Sequence, residues 1–397
     1  MRYLNYLFLF SLLFFSSCSL QSAQNHDTKI KTGAEQTEKY IPYIKNKKVA
    51  VVANHSSIIG DVHLVDTLLK NQINIIKIFS PEHGFRGDAE AGEFVNSHLD
   101  ESTGLQVISL YGNSKKPNIS DLQDVDVVIF DMQDVGVRYY TYISTMHYVM
   151  EACAETDVEM LILDRPNPNG FYVDGPVLDT NYRSFVGMHP VPIVHGMTIG
   201  EFAQMINGEK WLKDNLQCKL KIIPCGNYTH DSLYNLPVNP SPNLQNMLSV
   251  YLYPSLGFFE GTSLSVGRGT GFPFQVFGGP DMINVDFEFI PDKPNGTKIE
   301  PINWNKKCYG IDLRNIDIKN LIRKKQINLE WLLFAYKNVH NKDKFFNNYF
   351  YNIAGNNVLK KQIIEGNTAD EIRQSWQEGI KGFKLVRKKY LLYKDFE

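Results

Sequence analysis

Five short apolar runs, at residues 48–53, 73–79, 107–110, 125–130 and 159–163, constrain the fold more than any other feature of the chain. They are rich in Val and Ile and too short for buried helices. Helical stretches lie between them: residues 62–71 place Val65, Leu68 and Leu69 on one face, and residues 141–155 form a second. Uniformly apolar strands joined by helices predict a parallel sheet covered on both faces, a doubly wound α/β arrangement.

In such a sheet the residues after every strand gather at one edge, where open α/β sheets bind their ligands. The first strand is followed by Asn54-His55-Ser56, the second by Ser80-Pro81-Glu82-His83-Gly84-Phe85-Arg86, and the third by Tyr111-Gly112. The fourth leads into Asp131-Met132-Gln133-Asp134-Val135-Gly136-Val137-Arg138-Tyr139-Tyr140, and the fifth into Asp164-Arg165-Pro166-Asn167. Five polar clusters at one edge predict a functional site there.

Several function classes are excluded. No G-x-G-x-x-G follows the first strand, so dinucleotide binding is not indicated and no cofactor is expected. Gly267-Arg268-Gly269-Thr270-Gly271 has no Gly-Lys-Ser/Thr after it and reads as a turn carrying Arg268. The chain has no G-x-S-x-G elbow and no H-E-x-x-H, which weighs against an esterase or deacetylase. His55, His83 and His195 with Asp131 are the conceivable metal set, but no close-spaced ligand pair supports one, and no metal is expected. With 41 basic and 43 acidic residues the formal charge is −2, which gives no basic field for nucleic acid.

Residues 1–17 read as an export signal. Arg2 precedes an apolar core at residues 7–15, shorter than the roughly 20 residues that span a membrane. Ser16-Ser17-Cys18 resembles a lipoprotein cleavage site, which makes Cys18 the expected lipid attachment. The expected location is then outside the cytoplasm, anchored in the periplasm or at the outer membrane, with membrane contact only through the lipid. Cleavage near Ser22-Ala23 is the rival. Residues 18–39 read as a polar tether. Cys153, Cys218, Cys225 and Cys308 are expected as buried thiols, because a predicted strand holds Cys218 and Cys225 too far apart to bridge. Residues 40–225 are expected to form the α/β domain and 226–397 a smaller α+β domain. The latter shows a strand near 309–313, helices near 329–339 and 369–383, and a docked end at 383–393.

The motifs SPEHGFRGDAEAGE (80–93), DMQDVGVRYYTYISTM (131–146), LDRPNPNG (163–170), HGMTIGEFA (195–203), NPSPNLQNM (239–247), YPSLGFFEGTSLSVGRGTGFPF (253–274) and KKYLLY (388–393) make the chain resemble the exo-β-N-acetylmuramidase NamZ family, formerly domain of unknown function 1343. The resemblance implies a Rossmann-like domain, a smaller second domain and a pocket between them. It also implies an exported enzyme that removes terminal, non-reducing N-acetylmuramic acid from peptidoglycan fragments, such as muropeptides or disaccharides. The family's proposed catalytic glutamate falls on Glu82.

Glycoside cleavage generally uses two carboxyl groups. Glu82 is the expected general acid, and a carboxylate merely paired with Arg86 is the rival reading. For the second group, Glu90 and Glu93 share the loop of Glu82, while Asp131, Asp134, Asp164 and Glu260 lie in other motifs. Asp131 has the best position, directly after a strand. An acetamido neighbour on the substrate is the alternative to any of them. N-acetylmuramic acid carries a lactyl carboxylate, which invites an arginine: Arg138, Arg165 or Arg268, each otherwise a partner of Asp134, Asp164 or Glu260. Asn54, His55, His83, Arg86, Gln133, Tyr140, Asp164, Asn167, His195 and Glu260 complete the expected substrate-binding set. A lipid-anchored muropeptide-binding protein without catalysis is the alternative function.

Overall fold

The computed structural model describes residues 29–82, 84–86, 97–112, 114–293 and 300–397. At its centre is a seven-stranded sheet of β1 Lys48–Ala53, β2 Asn74–Ser80, β3 His98–Leu99, β4 Gln106–Ser109, β5 Val127–Asp131, β6 Glu159–Leu163 and β7 Leu220–Ile223. Its spatial order is β3-β4-β2-β1-β5-β6-β7. Every neighbouring pair is parallel except the short edge strand β3 against β4. The chain winds outward through β2 and β4 on one side of β1, then resumes at β5 on the other. This is the Rossmann-like pattern.

Alternate residues of the central strands enter two different cores. In β1, Val49, Val51 and Ala53 join one and Ala50 and Val52 the other; β5 and β6 divide in the same way. Helices α1 Thr37–Ile44 and α2 Leu64–Lys70 close the first face through Tyr40, Ile44, Leu64, Val65 and Leu68. Helices α3 Tyr142–Thr156 and α4 Ile199–Gly208 close the second through Ile143, Met146, Met150, Phe202 and Ala203. Each buried Val or Ile is worth about 1.5–3 kcal/mol, which is why β1, β5 and β6 carry no polar residue between their ends. Helix α4 starts where Thr198 and Glu201 cap each other's backbone N–H groups reciprocally.

The second core continues into the C-terminal half. That half contributes α5 Met247–Leu256, an antiparallel sheet of β8 Val276–Gly279, β9 Phe287–Phe289 and β10 Cys308–Asp312 in the order β8-β10-β9, and helices α6 Glu330–Lys337, α7 Tyr349–Ala354 and α8 Ala369–Arg387. Leu252, Phe258, Phe277, Leu332, Phe350 and Trp376 join the core from these elements and the turn after α5. Among the described residues no helix is long and apolar enough to cross a membrane.

Residues 29–39 depart from the tether expected there. Lys31 exchanges two backbone hydrogen bonds with Gly226, and Thr32, Ala34 and Gln36 are buried. The N–H of Gly33 donates to Asp164 O at 2.7 Å. A Cβ at Gly33 would lie 2.4 Å from Ile223 O, so only glycine permits this approach. The segment is docked because its backbone supplies partners to the end of the sheet. Cys18 lies outside the described residues. The other four cysteines are buried and free, with Cys218 and Cys225 flanking β7.

Candidate active site

Beyond the carboxyl ends of β2, β4 and β5, the two halves of the chain enclose a recess of about 130 Å³ that adjoins an outer cleft of about 450 Å³. Glu82, Thr141, Val186 and Tyr349 line both, so Glu82 stands at the neck between them. Tyr139, Tyr140, Tyr142, Tyr253 and Phe274 wall the recess. Three of the hydroxyls are anchored: Tyr139 donates to Tyr253 O at 2.9 Å and Pro254 O at 2.8 Å, Tyr140 donates to Pro240 O at 2.7 Å, and Asn54 Nδ2 donates to Tyr142 Oη at 2.7 Å. Burial raises the pKa of Tyr139, Tyr140 and Tyr253 well above the ordinary value, so these phenols stay protonated.

Two carboxylates among the described residues line the recess, Glu82 and Glu260. Arg268 Nε and Nη2 both donate to Glu260 Oε1, at 2.9 and 2.7 Å. Burial alone would weaken this guanidinium, but the charge and hydrogen bonds of Glu260 hold its pKa above the ordinary value. Tyr111, just past β4, lines the outer cleft beside Glu82. Burial first, and the Glu82 charge second, push the Tyr111 phenol up, so it remains a donor. Tyr349 is raised by burial and then by Glu260, and its hydroxyl is likewise kept protonated.

The strand-end residues divide sharply. Glu82, Tyr140, Glu260 and Arg268 meet at the recess. Asp131, favoured by sequence order as the second carboxylate, is instead wholly buried and clamped by Arg165, with Nε to Oδ1 at 2.6 Å and Nη2 to Oδ2 at 2.8 Å. Arg165 therefore pairs with Asp131 rather than Asp164. Nor does Arg138 pair with Asp134: its guanidinium donates to four backbone carbonyls, of Pro176, Val191, Ile353 and Ala354. Burial pulls its pKa down to about 9. Asp164 accepts from Thr198, Gly200 and Tyr393 inside the fold, and burial pushes its carboxyl up to about 6.

The remaining expected ligands brace the frame. Gln133 Nε2 donates to Asp134 O and Pro166 O, and Asn167 Nδ2 donates to Met197 O. His195 is buried against Phe202, and burial lowers its pKa to about 3, so its ring is neutral. His55 Nε2 bonds Asn239 O at 2.8 Å. Arg86 engages Asp100 through Nε and Nη2 at 3.2 and 3.0 Å, so the ion pair proposed as the rival role of Glu82 is made with a different carboxylate. His83, Glu90 and Glu93 lie outside the described residues. Tyr349 and Lys115 line the cleft without being among the expected site residues, whereas Tyr111 belongs to the third strand-end cluster. Tyr111 had a signal, since it directly follows a strand, whereas Tyr349 sits in the short helix α7 with none.

Asp134 makes a pH prediction. Its Oδ1 accepts from Gly136 N at 2.6 Å, but its Oδ2 is buried without a partner, and burial pushes the carboxyl up to about 7. The unfolded value is near 4, so the folded protein holds this proton longer. The Asp134 contribution to stability is thus greatest below pH 4, falls as pH rises from about 4 to about 7, and is level beyond. Asp134→Asn should flatten that part of the Tm–pH curve; a slope equal to that of the parent would exclude Asp134 as its source.

A Rossmann-like sheet whose strand ends feed an aromatic-walled cleft with two carboxylates, closed by the C-terminal half, defines the class of this protein as a two-part α/β protein with an enclosed polar site. Two family models match in succession: exo-β-N-acetylmuramidase NamZ, N-terminal, over residues 49–248, and exo-β-N-acetylmuramidase NamZ, C-terminal, over residues 251–393. The chain belongs to the NamZ family. It is 34% identical to the peptidoglycan β-N-acetylmuramidase NamZ of Bacillus subtilis (strain 168), an alignment covering 99% of this chain and all of that protein. It is also similar to two crystal structures of DUF1343 family proteins from Bacteroides fragilis NCTC 9343. One has 48% identity and a TM-score of 0.86 over 92% of this chain and 99% of the other; the second has 27% identity and a TM-score of 0.74 over 92% and 100%.

Proposed function

We propose that this chain is an exo-acting glycoside hydrolase that releases terminal non-reducing N-acetylmuramic acid from peptidoglycan fragments, with Glu82 as general acid/base. Family membership supports the reaction class. The observation that carries the assignment is the position of Glu82 at the neck between a small recess and a wider cleft. An exo-enzyme needs its acid at that boundary, with one terminal sugar on the closed side and the leaving group on the open side.

In this reading Glu82 protonates the glycosidic oxygen as the bond breaks. Tyr111 lies beside it in the cleft, its phenol kept protonated by burial and by the Glu82 charge. Glu260 is the second carboxylate, held in place by Arg268, and faces the charge that develops at the anomeric carbon. The Nε and Nη2 atoms of Arg268 serve Glu260, and Nη1 is assigned to the lactyl carboxylate of the terminal sugar. A chromogenic N-acetylmuramide tests the reading: steady release of the chromophore supports it, and binding without release sinks it in favour of a binding protein.

The anchor belongs to the same proposal. Two acyl chains hold a membrane far better than one, so lipid on Cys18 would keep the enzyme at the surface where wall fragments are shed. Cys18→Ala should leave the protein soluble or uncleaved, while the purified remainder keeps its turnover. Parent protein that fractionates as soluble, with a mature N-terminus beyond Ser22, rules the anchor out.

A further inference from the structure

The outer cleft is lined by Tyr111, Gly112, Lys115, Ser184, Phe185 and Asn352 on the open side of Glu82. Its cation is Lys115, and the way that cation is held is unusual for a surface lysine. The ammonium lies 4.2 Å over the Phe185 ring, and Phe185 is stacked on Tyr148 of α3 at 6.3 Å with the planes 13° apart. The neighbouring Lys116 is bound by Glu151 and Glu155, at 2.6 and 2.7 Å. Among the described residues no carboxylate lies within ion-pair distance of Lys115. Beside it, Ser184 Oγ is buried without a hydrogen-bond partner. The turn that carries Phe185 is closed by reciprocal backbone bonds between Ser184 and Gly187, at 2.9 and 3.1 Å. The aromatic pair therefore sits on a fixed support.

A cation placed by aromatic stacking, with no anionic partner among the described residues and an unused hydroxyl beside it, is a preorganised receptor for an anion. We infer that the outer cleft is a leaving-group subsite that selects aglycones bearing a carboxylate, which Lys115 binds and Ser184 supports. This rests on the glycosidase reading, which places the leaving group on the open side of Glu82. In wall fragments the first sugar of the leaving group, N-acetylglucosamine, is neutral, so the carboxylate belongs to a muramic unit one residue further along. Either its lactyl group or a peptide extending it supplies the charge. The inference thus gives the enzyme a preference for fragments longer than a disaccharide.

The test compares kcat/KM for a neutral-aglycone disaccharide, MurNAc-GlcNAc, with three trisaccharides ending in muramic acid: lactyl free, lactyl amidated, and lactyl extended by a dipeptide. A charge-assisted hydrogen bond contributes about 1.5–3 kcal/mol, roughly 10–150-fold. The parent enzyme should favour the free-lactyl trisaccharide over its amide by about that factor. Lys115→Met should erase the ratio and Lys115→Arg should keep most of it. Preference for the dipeptide form alone assigns the peptide carboxylates as the ligand. A parent enzyme that treats all three trisaccharides alike, or a Lys115→Met variant that keeps the ratio, overturns the inference. If the parent cleaves no muramide at all, the glycosidase reading fails. Calorimetric binding of the same trisaccharides to parent and Lys115→Met protein then decides the subsite by itself.

Discussion

Glu82→Gln is expected to remove most turnover while leaving the fold intact. The amide keeps the shape of the side chain, but it has no acidic proton to deliver to a departing oxygen. Positioned acid–base catalysis contributes about 10²–10⁴-fold, so the loss should fall in that range on substrates with a poor leaving group. A substrate with a good leaving group needs less protonation, and the deficit should shrink with it. The matched variant Glu260→Gln should also lose activity, but without this dependence on leaving group in the bond-breaking step. A loss below tenfold for Glu82→Gln on a natural disaccharide would remove Glu82 from the role of acid. Its unfolding midpoint should stay near that of the parent, because the side chain lines a cavity rather than the core.

The second large effect falls on stability. Asp131 and Arg165 are both buried and bonded to each other at two points. Asp131→Ala leaves the guanidinium charged and unpaired in a dry interior, which costs about 3–5 kcal/mol. The double change Asp131→Leu with Arg165→Met removes both charges and should recover much of that loss. Denaturant midpoints measure both. If Asp131→Ala instead keeps the parental midpoint and abolishes turnover, Asp131 belongs to the chemistry and the structural reading of the pair is wrong.

The contrast between Glu82 and Asp131 shows how much was legible in the sequence. Apolar runs and helical periods give the strands and helices of the sheet because burial on both faces leaves a plain signature, as in residues 49–52 and 127–130. The same logic finds the right edge of the sheet for the site. It does not give depth. At and after the ends of β5 and β6, Asp131, Asp164, Arg165 and His195 are enclosed, and Asp131, Asp164 and Arg165 are held by partners inside the fold. Glu82 and Tyr111, after β2 and β4, instead line the outer cleft. Helix α5 shows a different limit. Its residues are apolar all round, with Pro254 inside, so it has no period to read and only the Asn246 cap marks its start. Residues 29–36 are polar in composition, which reads as a tether, yet they dock through backbone hydrogen bonds that composition does not reveal.

The walls of the recess come from residues near 82, 140, 260 and 349, segments brought together only when the chain has closed on itself. Contacts of such long sequence separation form late, because the entropy of closing the intervening loops must be lost before they are rewarded. In refolding from denaturant, helical signal and apolar burial should therefore return before turnover does. Activity then reports the finished molecule, and a partly folded chain has no site to offer a sugar until its last segments have found their place.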